Sequence, residues 1–119
     1  MLWAMHQPEQ LSATARTLIA DSSNSLLVSI ASLWEITIKI GTGKIVVPGS
    51  DIDSVLQNLD SFRVRVIPIR ANHLRALQVL PQHHKDPFDR ILIAQSQTEQ
   101  LPLITVDKKI RAYEVNAIW

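Results

Sequence analysis

The strongest constraint on this chain is an alternation. Short apolar strand-like stretches are separated by amphipathic segments of helical period. Leu26-Leu27-Val28-Ser29-Ile30 is a continuous apolar run, and residues 64–69, 101–106 and 115–119 read as further short strands. A run of this length with no polar alternation marks a strand buried on both faces. The segments between them read as helices at residues 12–21, 32–40, 51–62, 71–80 and 87–100, with a short helical turn at 108–112. Ser12 caps the first of these, and Ile52, Val55, Leu56 and Leu59 line one face of the third. Residues 45–48 form a short extended piece. Strands that alternate with helices in this way build a parallel sheet covered on both sides. At 119 residues the chain is one domain with enough length for a core.

What such a sheet does is decided at the carboxyl ends of its strands, where ligands of this architecture sit. Four acids fall there or at the helix starts just beyond. Glu35 lies just past the first run, Asp86 and Asp89 bracket the start of the helix at 87–100, and Asp107 closes the run at 101–106. Each also has a capping role open to it. Ser32-x-x-Glu35 fits a capping box, Asp86 fits an N-cap ahead of Pro87 with Asp89 three residues on, and Asp107 fits a cap for the next turn. Singly, the cap is the better reading of each. Jointly, parallel strands bring these helix starts to one edge, where uncompensated carboxylates repel unless they share a cation. Ligands made only of oxygen suit Mg²⁺ or Mn²⁺, and such ions support phosphodiester hydrolysis.

Composition removes several alternatives. The chain has no cysteine, which excludes disulfides, thiolate zinc sites and cysteine nucleophiles and suits a cytoplasmic protein. Its net charge is +1, so any RNA contact must come from local basic groups. No apolar run reaches the roughly 18 residues of a membrane span, and the start does not read as a signal peptide.

Three blocks resemble the PIN-domain toxins (VapC-like) in order and spacing. They are Ser32-Leu33-Trp34-Glu35-Ile36, the stretch His84-Lys85-Asp86-Pro87-Phe88-Asp89-Arg90-Ile91-Leu92-Ile93-Ala94-Gln95, and Leu103-Ile104-Thr105-Val106-Asp107. The middle block is the specific one, and the resemblance covers essentially the whole chain. It implies a three-layer α/β sandwich with a central parallel sheet, RNA cleavage with Mg²⁺ or Mn²⁺, and a cognate antitoxin protein as partner. It implies Glu35, Asp89 and Asp107 as metal ligands, and Asp86 as a cap and supporting group. It also implies that Thr105 holds a metal carboxylate or a water, and that Arg90 pairs with a carboxylate or a phosphate. Family members begin with an apolar strand ending in aspartate. Here residues 1–5 match the start of the helix that comes after that strand. The first strand and first ligand are therefore expected to be absent, as with a start assigned too late. The expected consequences are two exposed strand edges that make a homodimer plausible, an exposed Trp3, and weak metal binding. The alternative function is an inactive remnant that only binds a partner. A receiver-like domain, which also gathers acids around Mg²⁺, fits poorly because Lys108 directly follows Asp107.

The remaining features have plain expectations. His83-His84 reads as a solvated loop, and His6 and His73 as surface residues. Trp34 and Ile38 read as core, with a groove for an antitoxin helix as the alternative. Lys108 and Lys109, beside Asp107, are the basic groups placed to meet an RNA backbone.

Overall fold

The computed structural model describes residues 1–4, 12–46, 49, 51–105 and 107–119. Its elements run β1 (Leu2–Trp3), α1 (Ala13–Ala20), β2 (Leu27–Ser29), α2 (Ile30–Gly41), α3 (Ile52–Ser61), β3 (Arg65–Ile67), α4 (Ala71–Gln78), α5 (Pro87–Glu99), β4 (Leu103–Ile104), a 3-10 turn (Lys108–Ala112) and β5 (Ala117–Ile118). The strands make one five-stranded sheet in the order β3-β2-β1-β4-β5, and every pairing is parallel. The alternation of apolar runs and helices thus yields the expected architecture. His6 and residues 47–48 of the expected extended piece lie outside the described residues, and Ile45 and Val46 lie outside any strand.

The expected gap at the front of the sheet is not there. Leu2 and Trp3 occupy its centre, with Leu2 opposite Leu27 and Leu103, and Trp3 opposite Val28 and Ile104. The backbone is tied on both sides. The Leu2 N–H donates to Pro102 O at 2.8 Å, the Ala4 N–H to Ile104 O at 2.9 Å, and the Leu27 N–H to the Met1 carbonyl at 2.9 Å. The strand pairing that buries these groups also buries Trp3, which was expected to be exposed. Among the described residues the sheet's edges are therefore β3 and β5, and the two open central edges expected at the front are closed by β1.

Successive side chains of β1 point to opposite faces, which builds the three layers. Trp3 joins Ala15, Val28, Leu33, Ile36, Leu59 and Ile104 on the side of α1, α2 and α3. Leu2 joins Leu80, Leu92, Ile93, Leu103 and Ile110 on the side of α5 and the 3-10 turn. Helix α2 also reaches α5 through Ala31, Ile91 and Ala94.

Three local expectations change. Helix α2 starts directly off β2, so Ser29 rather than Ser32 is its cap, with Oγ accepting the Ala31 N–H at 3.1 Å. Ser32 sits inside the helix, buried, and the capping box with Glu35 does not form. His73 is buried, not superficial. Its Nδ1 accepts the Arg70 N–H at 2.9 Å, and its Nε2 lies 2.8 Å from Glu99 Oε1, tying α4 to α5. Trp34 and Ile38 are not core: with Ile30 they form an exposed apolar row at a spacing of four along α2, because Leu33 and Ile36 already fill the face that meets the sheet.

Leu2 has no exposed surface. Leu2→Ala should therefore destabilise the protein by about 2–5 kcal/mol in urea unfolding, the cost of a cavity in a packed core. A loss below about 0.5 kcal/mol, ordinary for a surface site, would show that β1 is not the sheet's centre in solution.

Candidate metal centre

Three segments bring polar groups together at the carboxyl edge of the sheet. Asp107 follows β4, Asp89 lies in the first turn of α5, and His84 lies in the loop between α4 and α5. One ligand atom of each lies within 4.8 Å of the others. His84 Nε2 is 2.6 Å from Asp107 Oδ2 and 3.2 Å from Asp89 Oδ2. Asp89 and His84 are buried, while the Asp107 side chain keeps 27% of its surface. A carboxylate in the first turn of a helix is also favoured by the helix dipole.

The tautomer of His84 is set by its hydrogen bonds. The Asp86 N–H donates to His84 Nδ1 at 3.1 Å, so Nδ1 carries a lone pair rather than a proton. The ring proton then belongs to Nε2, where it points at Asp107 and is shared with Asp89. The loop that carries the ring is fixed in turn. The His84 N–H donates to the Tyr113 hydroxyl at 2.8 Å, and that hydroxyl donates to Pro81 O at 2.7 Å. Arg90 reaches the same loop, with Nη1 2.9 Å from Pro81 O and 3.3 Å from His84 O, and Nη2 3.3 Å from Leu80 O. These contacts satisfy carbonyls of the loop that follows α4.

His84 thus departs from the solvated-loop reading. The two histidines separate at the end of the turn at residues 82–83: His83 is exposed and stands edge-on to Tyr113, while His84 turns inward. The signal available in the sequence was its place two residues before the helix-capping Asp86, where a ring nitrogen reaches the cap's own N–H.

The other expected residues divide by position. Asp86 caps α5, its Oδ1 accepting from the Phe88 N–H at 2.8 Å and the Asp89 N–H at 3.3 Å. Thr105 is buried, and its Oγ1 accepts the Asp107 N–H at 3.1 Å, so it braces the backbone of the acid. Arg90, expected at a carboxylate or phosphate, directs its guanidinium to the loop carbonyls and Tyr113. Glu35 is buried on α2, with Oε2 3.7 Å from Lys39 Nζ, and stands outside the close group of Asp89, Asp107 and His84. Residue 4, directly after β1, is alanine and offers no ligand atom.

Asp107 is both cap and site. Its Oδ1 accepts the Lys109 N–H at 2.9 Å while Oδ2 takes the His84 proton. Burial pushes its carboxyl up, but the His84 hydrogen bond, the Lys109 N–H and the electrostatic attraction of His84 and then Lys109 outweigh that and hold it below its ordinary value. Two carboxylates converging on one point, with no thiolate in the chain, form a donor set that fits a hard divalent cation.

A family model described as PIN domain matches residues 1–116 of this chain. A search of curated proteins yields no match.

The lowered folded-state acidity of Asp107 has a defined sign. Its contribution to stability is present above the unfolded-state value of about 3.9 and is lost as pH falls through the lower folded-state value. The stability difference between the native chain and Asp107→Asn, from urea midpoints, should shrink as pH falls below about 4. A difference that is flat across the acid range would show that Asp107 gains nothing from His84 and Lys109.

Proposed function

The chain belongs to the PIN-domain family, and from that premise we propose that it is a metal-dependent endoribonuclease of the VapC-like toxin–antitoxin kind. PIN domains are in general nucleases, which sets the reaction class. The observation that carries the finer reading is the meeting of the Asp89 and Asp107 carboxylates at the carboxyl edge of the sheet.

In this reading Asp89 and Asp107 hold Mg²⁺ or Mn²⁺, and Glu35, buried on the helix that packs against α5, completes the acidic set. A divalent ion bound there supplies charge neutralisation at the scissile phosphate and a more acidic water. The chain's own groups do the positioning. Asp86 caps α5 and so fixes the turn from which Asp89 projects. Thr105 holds the backbone of Asp107. Arg90 and Tyr113 hold the 80–84 loop. Lys108 and Lys109 are beside Asp107, where they can neutralise RNA phosphates.

The antitoxin reading is supported by α2. Ile30, Trp34 and Ile38 form an exposed apolar row, and the Trp34 ring stands edge-on to Phe88 with centroids 5.1 Å apart. Phe88 is the neighbour of Asp89. An amphipathic antitoxin helix laid along this row would bury its apolar face and crowd the start of α5, restricting access to the acids.

The decisive experiment is cleavage of a labelled RNA by the purified chain with Mn²⁺ and with chelator. Cleavage should require the metal, and Asp89→Asn and Glu35→Gln should each slow it by on the order of 10²-fold or more while circular dichroism is unchanged. Cleavage that survives chelation, or that proceeds equally in Asp89→Asn, rules out the proposed site.

A further inference from the structure

The geometry points to His84 as a positioning residue of the acidic centre: its Nε2–H holds the Asp89 and Asp107 carboxylates together without itself being a metal ligand. The inference rests on the proposed reading of those two acids as metal ligands and adds a residue to it.

Three observations converge. First, a single ring nitrogen lies within hydrogen-bond reach of both acids, at 2.6 Å from Asp107 Oδ2 and 3.2 Å from Asp89 Oδ2. A donor between two like charges offsets their repulsion and fixes which oxygens turn inward. Asp107 accepts on both of its oxygens, from His84 and from the Lys109 N–H, so its plane is set from two sides.

Second, the other ring nitrogen is committed the wrong way for a ligand. A histidine that binds metal through one nitrogen ordinarily donates a proton from the other. Here Nδ1 receives the Asp86 N–H at 3.1 Å. Ligation through Nε2 would require either a proton on Nδ1, facing another N–H, or an imidazolate. The hydrogen bonding therefore selects the tautomer that donates to the acids.

Third, the ring is mounted rigidly. The backbone N–H of His84 is held by Tyr113 and its carbonyl by Arg90, and the side chain is buried. A supporting group acts on its partners only if it is itself fixed. The network that Arg90 and Tyr113 build around residues 80–84 has that effect, and it gives Arg90 a role away from the phosphate.

The test separates donor from ligand. His84→Gln keeps an N–H at about the reach of Nε2, whereas His84→Asn keeps only a group near Nδ1. Mn²⁺ affinity, read by electron paramagnetic resonance, should fall about 10–100-fold in His84→Asn and be largely recovered in His84→Gln. Nitrogen-15 spectra of the native chain at mildly alkaline pH should show the His84 proton on Nε2, both without metal and with saturating Mg²⁺. Loss of that proton on loading makes His84 a ligand and overturns the inference, as does unchanged or tighter Mn²⁺ binding in His84→Asn. If the native chain binds no Mn²⁺, the metal reading of the acids fails. The metal-free spectrum then decides alone whether His84 holds the pair, and a proton on Nδ1 refutes it.

Discussion

The structure depends on the pairing of a two-residue strand with both of its neighbours. Leu2 and Trp3 join β2 to β4, and without them the sheet would fall into two pairs of strands with unpaired backbone facing inward. Backbone groups in such a position must be paired, because burying them unpaired costs about as much as losing a hydrogen bond. The amino terminus adds to this closure, donating to Ser25 O at 2.7 Å. The same strand divides the core, sending Trp3 to one layer and Leu2 to the other. It also sets the spacing between the carboxyl ends of β2 and β4, and so between the helix that carries Glu35 and the turn that carries Asp107.

Much of this was legible in the sequence, for identifiable reasons. The helix over Pro87–Glu99 is marked at its start by Asp86 and Pro87, and it leaves the helical region at Gln100, where φ is 54°. Local capping chemistry fixes such a boundary regardless of tertiary context. The strands at 27–29 and 103–104 were visible as short apolar stretches because both of their faces are covered. Asp89 and Asp107 were visible because parallel topology alone sends their segments to one edge.

The illegible parts depend on partners distant in sequence. A two-residue strand has no period to detect, so Leu2–Trp3 read as the beginning of something else. Helix α2 is apolar on more than one side, and periodicity does not say which side meets the sheet. Leu33 and Ile36 meet it, and Trp34, 60% exposed, does not. His73 reads as a surface residue because it is a lone histidine, and His84 reads as part of a solvated loop because adjacent histidines rarely face one ligand. Each is buried by the same device, a neighbouring backbone N–H on Nδ1 and a carboxylate on the Nε2 side. The local half of that device lies within three residues and could be anticipated. The carboxylate half comes from residues 26 and 23 positions away, Glu99 and Asp107, which only the fold supplies.

The choice between cap and functional acid, posed residue by residue, has no single answer here, because a carboxylate has two oxygens. Asp86 is engaged as a cap through Oδ1. Asp107 gives Oδ1 to the Lys109 N–H and turns Oδ2 toward His84 and Asp89, so the cap is what aims the second oxygen. Thr105 strengthens the same arrangement from the backbone side. A capping acid at the end of a buried strand is thus held in orientation by bonds that local sequence specifies. That preorganisation is what a group must have to act on a ligand at low cost in entropy. In this chain the capping chemistry is therefore the means by which an acid at a strand end becomes part of a site.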